Sequence, residues 1–427
     1  MTNWQTKQIR NLGRVVTGKT PPKIEPHYFD GDELFVSPKD LDWDQLYVTE
    51  TETRVSSKAL DKFKNQVIPK NSVMFTSLSF GFGKMGIASR ALLTNQQINS
   101  VVVNKENNFR FVYYLLKACT PFIFAYNSGI DTPIVPKSVF ERIELRFPEF
   151  RLQSKIAAVL WAYDELIQNN KRRIALLERL AEEIYREWFV RFRFPGHEKV
   201  KLVKGVPDGW EMVKTEKAFK FTGGGTPSKE VDRYWKDGDV NWFTPSDVTA
   251  AHGIFLERSG DRCTEEGVAR SSATMFPPYS VMMTSRATIG ALGINLTPAC
   301  TNQGFITCIP NSRYPLPLLY HWLKLSKPHF ELLAGGATFA ELTKGTFKKI
   351  EILTPPVPIV AEFARIESPI FGAIETHLGE NGKLVETRDR LLPRLISGKL
   401  SVENRDIQFP PGMAEDLKAE PTATVHA

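Results

Sequence analysis

The sequence predicts a mixed α/β protein of the α+β kind. Two repeated domains are joined by two long antiparallel coiled-coil helices, with pseudo-twofold symmetry. Three observations carry this expectation. The chain matches itself at a nearly constant offset, each copy holds short apolar runs between loop-forming clusters, and each copy is followed by a long heptad-spaced segment.

The self-match comes first because it fixes the organisation. Thr20-Pro21 recurs as Thr226-Pro227, and Tyr28 as Tyr234. Ser37-Pro38-Lys39-Asp40 recurs as Thr244-Pro245-Ser246-Asp247. Ser72-Val73-Met74-Phe75-Thr76-Ser77 recurs as Ser280-Val281-Met282-Met283-Thr284-Ser285. Thr94-Asn95-Gln96 recurs as Thr301-Asn302-Gln303, and Phe140-Glu141-Arg142-Ile143-Glu144 as Phe347-Lys348-Lys349-Ile350-Glu351. All six matches are collinear at offsets of 206 to 208 positions. Chance does not produce that, so the copies are structurally equivalent domains.

Within each copy the local signals are mixed. Leu34-Phe35-Val36, Val73-Met74-Phe75 and Ser100-Val101-Val102-Val103 read as strands. The Gly/Pro/Ser/Thr clusters at Thr17–Pro22 and Thr222–Ser228 read as exposed loops. Phe111–Ala118 and Leu316–Leu325 read as short helices.

The long segments read differently. Leu152 to about Phe192 contains no Pro or Gly. There Ile156, Leu160, Tyr163, Ile167, Asn170, Ile174, Leu177, Ala181, Ile184 and Trp188 step by alternating four and three residues, a heptad seam. At 1.5 Å per residue such a helix is roughly 60 Å long and needs a partner to bury its stripe. Phe371, Ile374, Leu378, Asn381, Val385, Arg388, Leu392 and Leu395 follow the same spacing and supply it. Asn170 and Asn381 hold equivalent seam positions, where a polar residue fixes register; solvent exposure is the competing reading. Pro369 marks the second helix's start or a kink, and Gly372, Gly379 and Gly382 weaken it. The expected division is 1–150, the first copy; 151–195, the first long helix; 196–356, the second copy; 357–402, the second long helix; and 403–427, a disordered tail.

Composition narrows the function classes. The length of 427 residues leaves room for two or three domains, and a net charge of +7 leans towards a polyanionic partner. No 18-residue apolar run is present, so no membrane partner is expected. Met1–Arg10 lacks the apolar core of a secretion signal. Cys119, Cys263, Cys300 and Cys308 form no paired motif, so neither zinc nor a disulfide framework is expected, and a reducing cytoplasm fits best.

Catalytic motifs fail on inspection. Gly81-Phe82-Gly83-Lys84 lacks the earlier glycine and following hydroxyl of a phosphate loop, since Leu78 and Met85 stand there. Phe276-Pro277-Pro278-Tyr279 has Phe where an amino-methyltransferase loop needs Asn or Asp. No catalytic residue, metal site or bound cofactor is therefore expected in this chain.

What recurs instead is hydroxyls and turn amides interleaved with long cations. That mixture suits phosphate contacts that position a protein on a duplex. The candidate DNA contacts are Lys19, Thr20, Lys23, Lys39, Ser79 and Lys84 in the first copy. In the second they are Thr226, Ser228, Lys229, Ser246, Arg286, Thr288 and Lys344. Long cations on glycine-rich loops are poor structural choices, which favours Lys84, Lys229 and Arg286. Base reading falls to the loops that differ, 42–54 against 249–262. The same Ser/Thr-Pro-x-Asp and Thr-Ser segments also serve as turn and strand-end chemistry, and both readings stand at this point. A non-catalytic protein–protein adaptor on a coiled-coil scaffold is the alternative function. A methyltransferase or nuclease with built-in recognition domains is another.

From about residue 4 to 402 the chain resembles the specificity subunit of type I restriction–modification systems. The resemblance rests on Thr222-Gly223-Gly224-Gly225-Thr226-Pro227-Ser228, Thr284-Ser285-Arg286-Ala287-Thr288-Ile289-Gly290, Thr301-Asn302-Gln303-Gly304-Phe305 and Leu391-Leu392-Pro393-Arg394-Leu395-Ile396-Ser397-Gly398-Lys399-Leu400. Glu187-Trp188-Phe189-Val190-Arg191-Phe192 closes the first helix in the same style. The first copy departs from the pattern. Gly18-Lys19-Thr20-Pro21 replaces the triple glycine, and Leu78-Ser79-Phe80 replaces Arg-Ala-Thr.

The resemblance implies two target-recognition domains, each reading part of a bipartite asymmetric site on double-stranded DNA. It implies helices that act as spacer and dock two modification subunits, with restriction subunits joining in the full complex. S-adenosylmethionine, ATP and magnesium would then belong to those partners, in a bacterial or archaeal cytoplasm. A fragment ending near Pro195 is expected to dimerise through its single long helix and direct methylation to a symmetric site. Mapping methylated bases checks this, and an asymmetric site would refute it.

Overall fold

In the computed structural model, residues 4–78, 81–128, 133–251, 253–335 and 340–413 are described. The chain divides into two compact units. One comprises residues 1–168 with 381–427, the other residues 169–380. Each unit thus takes one copy of the repeated domain and a segment of each long helix.

In the first unit a five-stranded sheet has the order Gly13–Thr17, Ile98–Val103, Val73–Thr76, Met85–Ala88, Tyr47–Val48. A three-stranded sheet runs Thr53–Val55, Glu33–Val36, Leu93–Thr94, and Gln5–Gln8 pairs with Glu144–Phe147. The second unit repeats this order strand for strand. Its five are Lys220–Gly223, Phe305–Ile309, Val281–Thr284, Leu292–Asn295 and Phe255–Leu256. Its three are Asp261–Cys263, Val240–Phe243 and Ala299–Thr301, and Glu211–Lys214 pairs with Glu351–Thr354. In each unit only the edge pair of the larger sheet and one pair of the smaller are parallel, so the α+β class holds. Thr222 and Gly223, expected in a loop, end a strand, because they pair with Thr307 and Ile306.

The short helices cover the sheets. Phe109–Phe124 begins two residues earlier than expected, where Asn108 caps it by accepting from the Arg110 and Phe111 amides at 3.0 and 3.2 Å, and continues past Ala118 through Pro121. Leu316–Leu325 falls where the periodicity placed it. No described helix is long and apolar enough to cross a membrane.

The long helices are Phe150–Tyr185, continued by a π turn over Arg186–Val190, and Val357–Ile396. Pro369 does not mark the start of the second long helix. Helix runs unbroken through it and begins twelve residues earlier, at Val357. Pro358 stands in its first turn, where a missing amide costs nothing. Phe363 and Phe371, buried on either side of Pro369, hold that turn in the second unit's core. The first part of the expected disordered tail is held in place. Residues 403–413 are largely exposed but tied to the first unit at several points. Lys155 Nζ donates to the carbonyls of Glu403 and Arg405 at 2.6 and 2.8 Å, Arg110 reaches that of Gly412 at 2.7 Å, and Met413 is buried.

Every seam position is buried or half-buried. Within the first unit, Ile156 and Leu160 share a core with Leu392 and Leu395. Within the second, Ala181, Tyr185 and Trp188 share one with Phe363 and Phe371. Within the second unit Asn170 meets Glu380 and Tyr185 meets Phe363, so rising numbers on one helix meet falling numbers on the other and the segments are antiparallel. Asn170, in the second unit, donates to Glu380 at 3.2 Å. Asn381, in the first, is buried with its amide oxygen unbonded among the described residues. Solvent exposure explains neither residue.

The first unit is tied together by a buried charge. Arg388 has a side chain only 2% exposed, and it donates to Asp164 and to Asp44, each at 2.6 Å, with Asp389 at 2.8 Å. Asp164 also accepts from the Tyr114 hydroxyl. Asp44 also takes Lys117 at 2.6 Å. Burial by itself would raise the Asp44 carboxyl, but Lys117 and Arg388 outweigh it and hold it at about 2. The position equivalent to Tyr114 in the second unit is His321, which faces Glu367 of the second long helix at 3.6 Å, both buried.

A lowered folded-state pKa stabilises above the unfolded value and is lost as pH falls towards the folded one. Asp44→Asn should therefore destabilise the protein at pH 5 and above. The gap from wild type should close as pH falls from about 4, the ordinary aspartate value, towards 2. Urea unfolding of both proteins across that range checks it, and a gap independent of pH would refute it.

Candidate nucleic-acid interface

The repeated motifs turn out to be scaffold at close quarters. Gly18 and Gly224 lie where their loops cross the strand end carrying Thr-Asn-Gln. A Cβ on Gly18 would sit 2.2 Å from the carbonyl oxygens of Thr94 and Asn95. One on Gly224 would sit 2.1 and 2.0 Å from those of Thr301 and Asn302. Only glycine permits this approach. The following threonine then closes onto the facing glutamine: Thr20 Oγ1 donates to Gln96 Oε1 at 2.7 Å, and Thr226 Oγ1 to Gln303 Oε1 at 2.7 Å.

The Ser/Thr-Pro-x-Asp segments are capping boxes, each opening a short helical turn. Asp40 Oδ2 accepts from the Ser37 amide and hydroxyl, and Asp247 Oδ2 from those of Thr244. The second oxygens reach onward to the Glu52 and Gly260 amides, both at 2.8 Å. The turn-chemistry reading of these segments therefore describes what they do in the fold.

In the second unit this scaffold shapes an open cleft of about 490 Å³. Four candidates line it: Thr226, Ser246, Arg286 and Thr288. They are joined by Pro245, Thr249, Ala287, Asn302, Gln303 and Gly304. Arg286 stands at a bent tip. Ala287 has a left-handed φ of 56°, a conformation that costs a non-glycine residue roughly 1–2 kcal/mol. Arg286 Nε meets Glu341 at 3.0 Å, and the Ala287 amide donates to the Ala340 carbonyl at 3.3 Å. Gly290, at φ 81°, closes the loop back onto Thr284.

The other candidates lie elsewhere. Lys229 is engaged by Asp261 at 2.9 Å and rests over the Trp235 and Trp242 rings at 4.4 and 5.0 Å. Exposed Ser228 accepts from the Trp235 indole through its carbonyl. Lys344 begins a short helix, with its ammonium against Gly223. In the first unit Lys19 is exposed over Phe63, Lys23 is exposed, and Lys39 lies 4.0 Å from Glu52. Lys84 sits over Trp43. Ser79 lies outside the described residues.

Arg286, Lys229 and Lys84, expected to be poor structural choices on these loops, each have a partner within the chain. Reasoning from sequence also missed Asn302, Gln303, Thr249 and Pro245 as lining. The recurrence of Thr-Asn-Gln was the available signal. Among the described residues no group of three His, Cys, Asp or Glu could hold a metal ion.

Twin copies carrying the same loop scaffold, each with a segment of two long helices, define a class of paired-domain specificity proteins. Residues 1–179 and 207–384 each match the family described as the type I restriction modification DNA specificity domain. The chain belongs to that family, and it is a specificity subunit of the type I restriction–modification class rather than a catalytic one. It is 26% identical to the type I restriction enzyme MjaIX specificity subunit of Methanocaldococcus jannaschii, over 94% of each chain. It is 26% identical to the HindI specificity subunit of Haemophilus influenzae, over 78% of this chain and 88% of that one. The fold matches the crystal structure of a type I S subunit from M. genitalium with a TM-score of 0.59 at 18% identity, covering 92% of this chain and 96% of that one.

Asp247→Ala removes the capping box and its tie to Gly260 together. It should destabilise the second unit by about 1–2 kcal/mol. Hydrogen exchange at the Gly260 amide should accelerate accordingly, and unchanged exchange would show that the tie carries no weight.

Proposed function

We propose that this chain reads double-stranded DNA for a type I complex, each unit contacting one part of a bipartite, asymmetric site. The observation that carries the reading is the cleft in the second unit. One cation and four hydroxyl residues face it, and its threonine–glutamine bond and capping box recur in the first unit with different side chains around them. A shared scaffold with divergent lining is what two readers of unlike sequences need.

The chemistry follows from the geometry. Ser246 and Thr288 offer short hydroxyl donors suited to phosphate oxygens, which position but do not specify, while Thr226 spends its proton on Gln303 and holds the loop. Glu341 engages Arg286 at Nε, leaving two terminal nitrogens for a bidentate contact with guanine O6 and N7. The long helices serve as spacer and as docking surface for two modification subunits. Restriction subunits join that core. S-adenosylmethionine sits with the modification subunits, ATP and magnesium with the partners that cut, and adenine methylation is the output this chain directs.

Arg286→Ala should weaken binding of the cognate duplex by the complex with modification subunits about 5- to 150-fold, the range for one bidentate base contact. Methylated sites should relax at one position in one half-site. Wild-type affinity should fall steeply with salt. A wild-type complex that shifts no duplex, or a variant with an unchanged methylation pattern, would refute the reading.

A further inference from the structure

The first unit lacks an arginine at the position of Arg286, since Leu78 stands there. Something else must face the equivalent of the cleft. The capping box supplies the landmark. Pro245 lines the cleft of the second unit, and its counterpart is Pro38. A Cβ on Gly81 would lie 3.5 Å from Pro38 and 3.6 Å from the Lys84 side chain, so Lys84 borders that place. Lys84 in turn carries its ammonium 4.8 Å from the Trp43 ring centroid. Trp43 follows Asp42, the counterpart of the lining residue Thr249.

Trp43 is 52% exposed, an unusual setting for a tryptophan. Its backbone is nevertheless pinned on both sides. Its carbonyl accepts from Lys117 Nζ at 2.9 Å, and the Asp42 carbonyl accepts from the Met85 amide at 3.2 Å. The next residue, Asp44, is gripped by Arg388 and Lys117. A large apolar ring held on a rigid backbone and left half in water is pre-organised for contact. Lys84 makes no ion pair among the described residues, so its charge is available to a polyanion.

We infer that Trp43 is a specificity-determining residue of the first unit, making apolar contact with a thymine methyl in the major groove, and that Lys84 positions it by binding the neighbouring phosphate. This rests on the DNA-reading function proposed above. It assigns the two units different chemistries: guanine through a guanidinium in the second, thymine through an indole in the first. The methyl is the apolar feature the major groove presents, and a cation beside it matches the backbone charge.

The test uses the full chain assembled with modification subunits, and duplexes whose half-site thymines are replaced by uracil, which removes only the methyl. Wild type should lose affinity severalfold on replacement at one thymine. Trp43→Ala should bind the thymine duplex at least tenfold more weakly and be indifferent to the replacement, and Trp43→Phe should recover part of both. Lys84→Met should weaken all duplexes alike and lower the salt slope by about one. Methylation mapping should show Trp43→Ala relaxed at a single position of one half-site. Arg286→Ala should relax the other half-site. If Trp43→Ala keeps wild-type affinity, or remains as sensitive to uracil as wild type, the inference is overturned while DNA reading stands. If the wild-type complex binds no duplex, the underlying function fails instead.

Discussion

The first unit depends on one buried cation. Arg388 lies on the second long helix, Asp164 on the first, and Asp44 in a loop of the recognition domain, more than 340 positions from Arg388 in sequence. A lone buried guanidinium would cost several kcal/mol in lost hydration. Three carboxylates offset that cost only while all three elements stay in place. The ion network thus acts as a geometric constraint more than as a source of stability. It fixes which helical turn meets which loop, where apolar contacts alone tolerate sliding. Its reach extends to the surface, because Asp44 adjoins the exposed Trp43.

The second unit meets the same packing problem with different groups. Its short helix presents His321 where the first presents Tyr114, and the partner carboxylate belongs to the second long helix rather than the first. Scaffold contacts between backbone and short polar side chains are copied almost exactly in length, whereas contacts through longer side chains have diverged. Backbone-close motifs tolerate little change, since a Cβ at Gly18 or Gly224 has nowhere to go. Side chains that reach outward from that scaffold are free to vary.

Much of this was legible from the residues. Offsets of 206 to 208 positions announced the twin domains, and the strand orders agree copy for copy. The heptad spacing named positions that are all buried or half-buried. Local grammar failed where tertiary contacts override it. Pro369 sits inside a helix because Phe363 and Phe371 anchor the turns around it. Residues 403–413 look like a polar tail yet are tied down, because Lys155 and Arg110 bind their carbonyls.

By itself the sequence determined the repeat, the two long helices, the family and which residue types recur. Those depend on periodicity and local chemistry, which a linear string records. Only the tertiary structure decided which recurring residues are scaffold and which face a cleft. It separated Arg286 from Lys229, both long cations on similar loops, by giving one a place in the cleft and the other a carboxylate and two indoles outside it. It also singled out Trp43, an exposed ring on a backbone held by residues distant in the chain. Burial and partnership are properties of three-dimensional neighbours, and no spacing rule carries them.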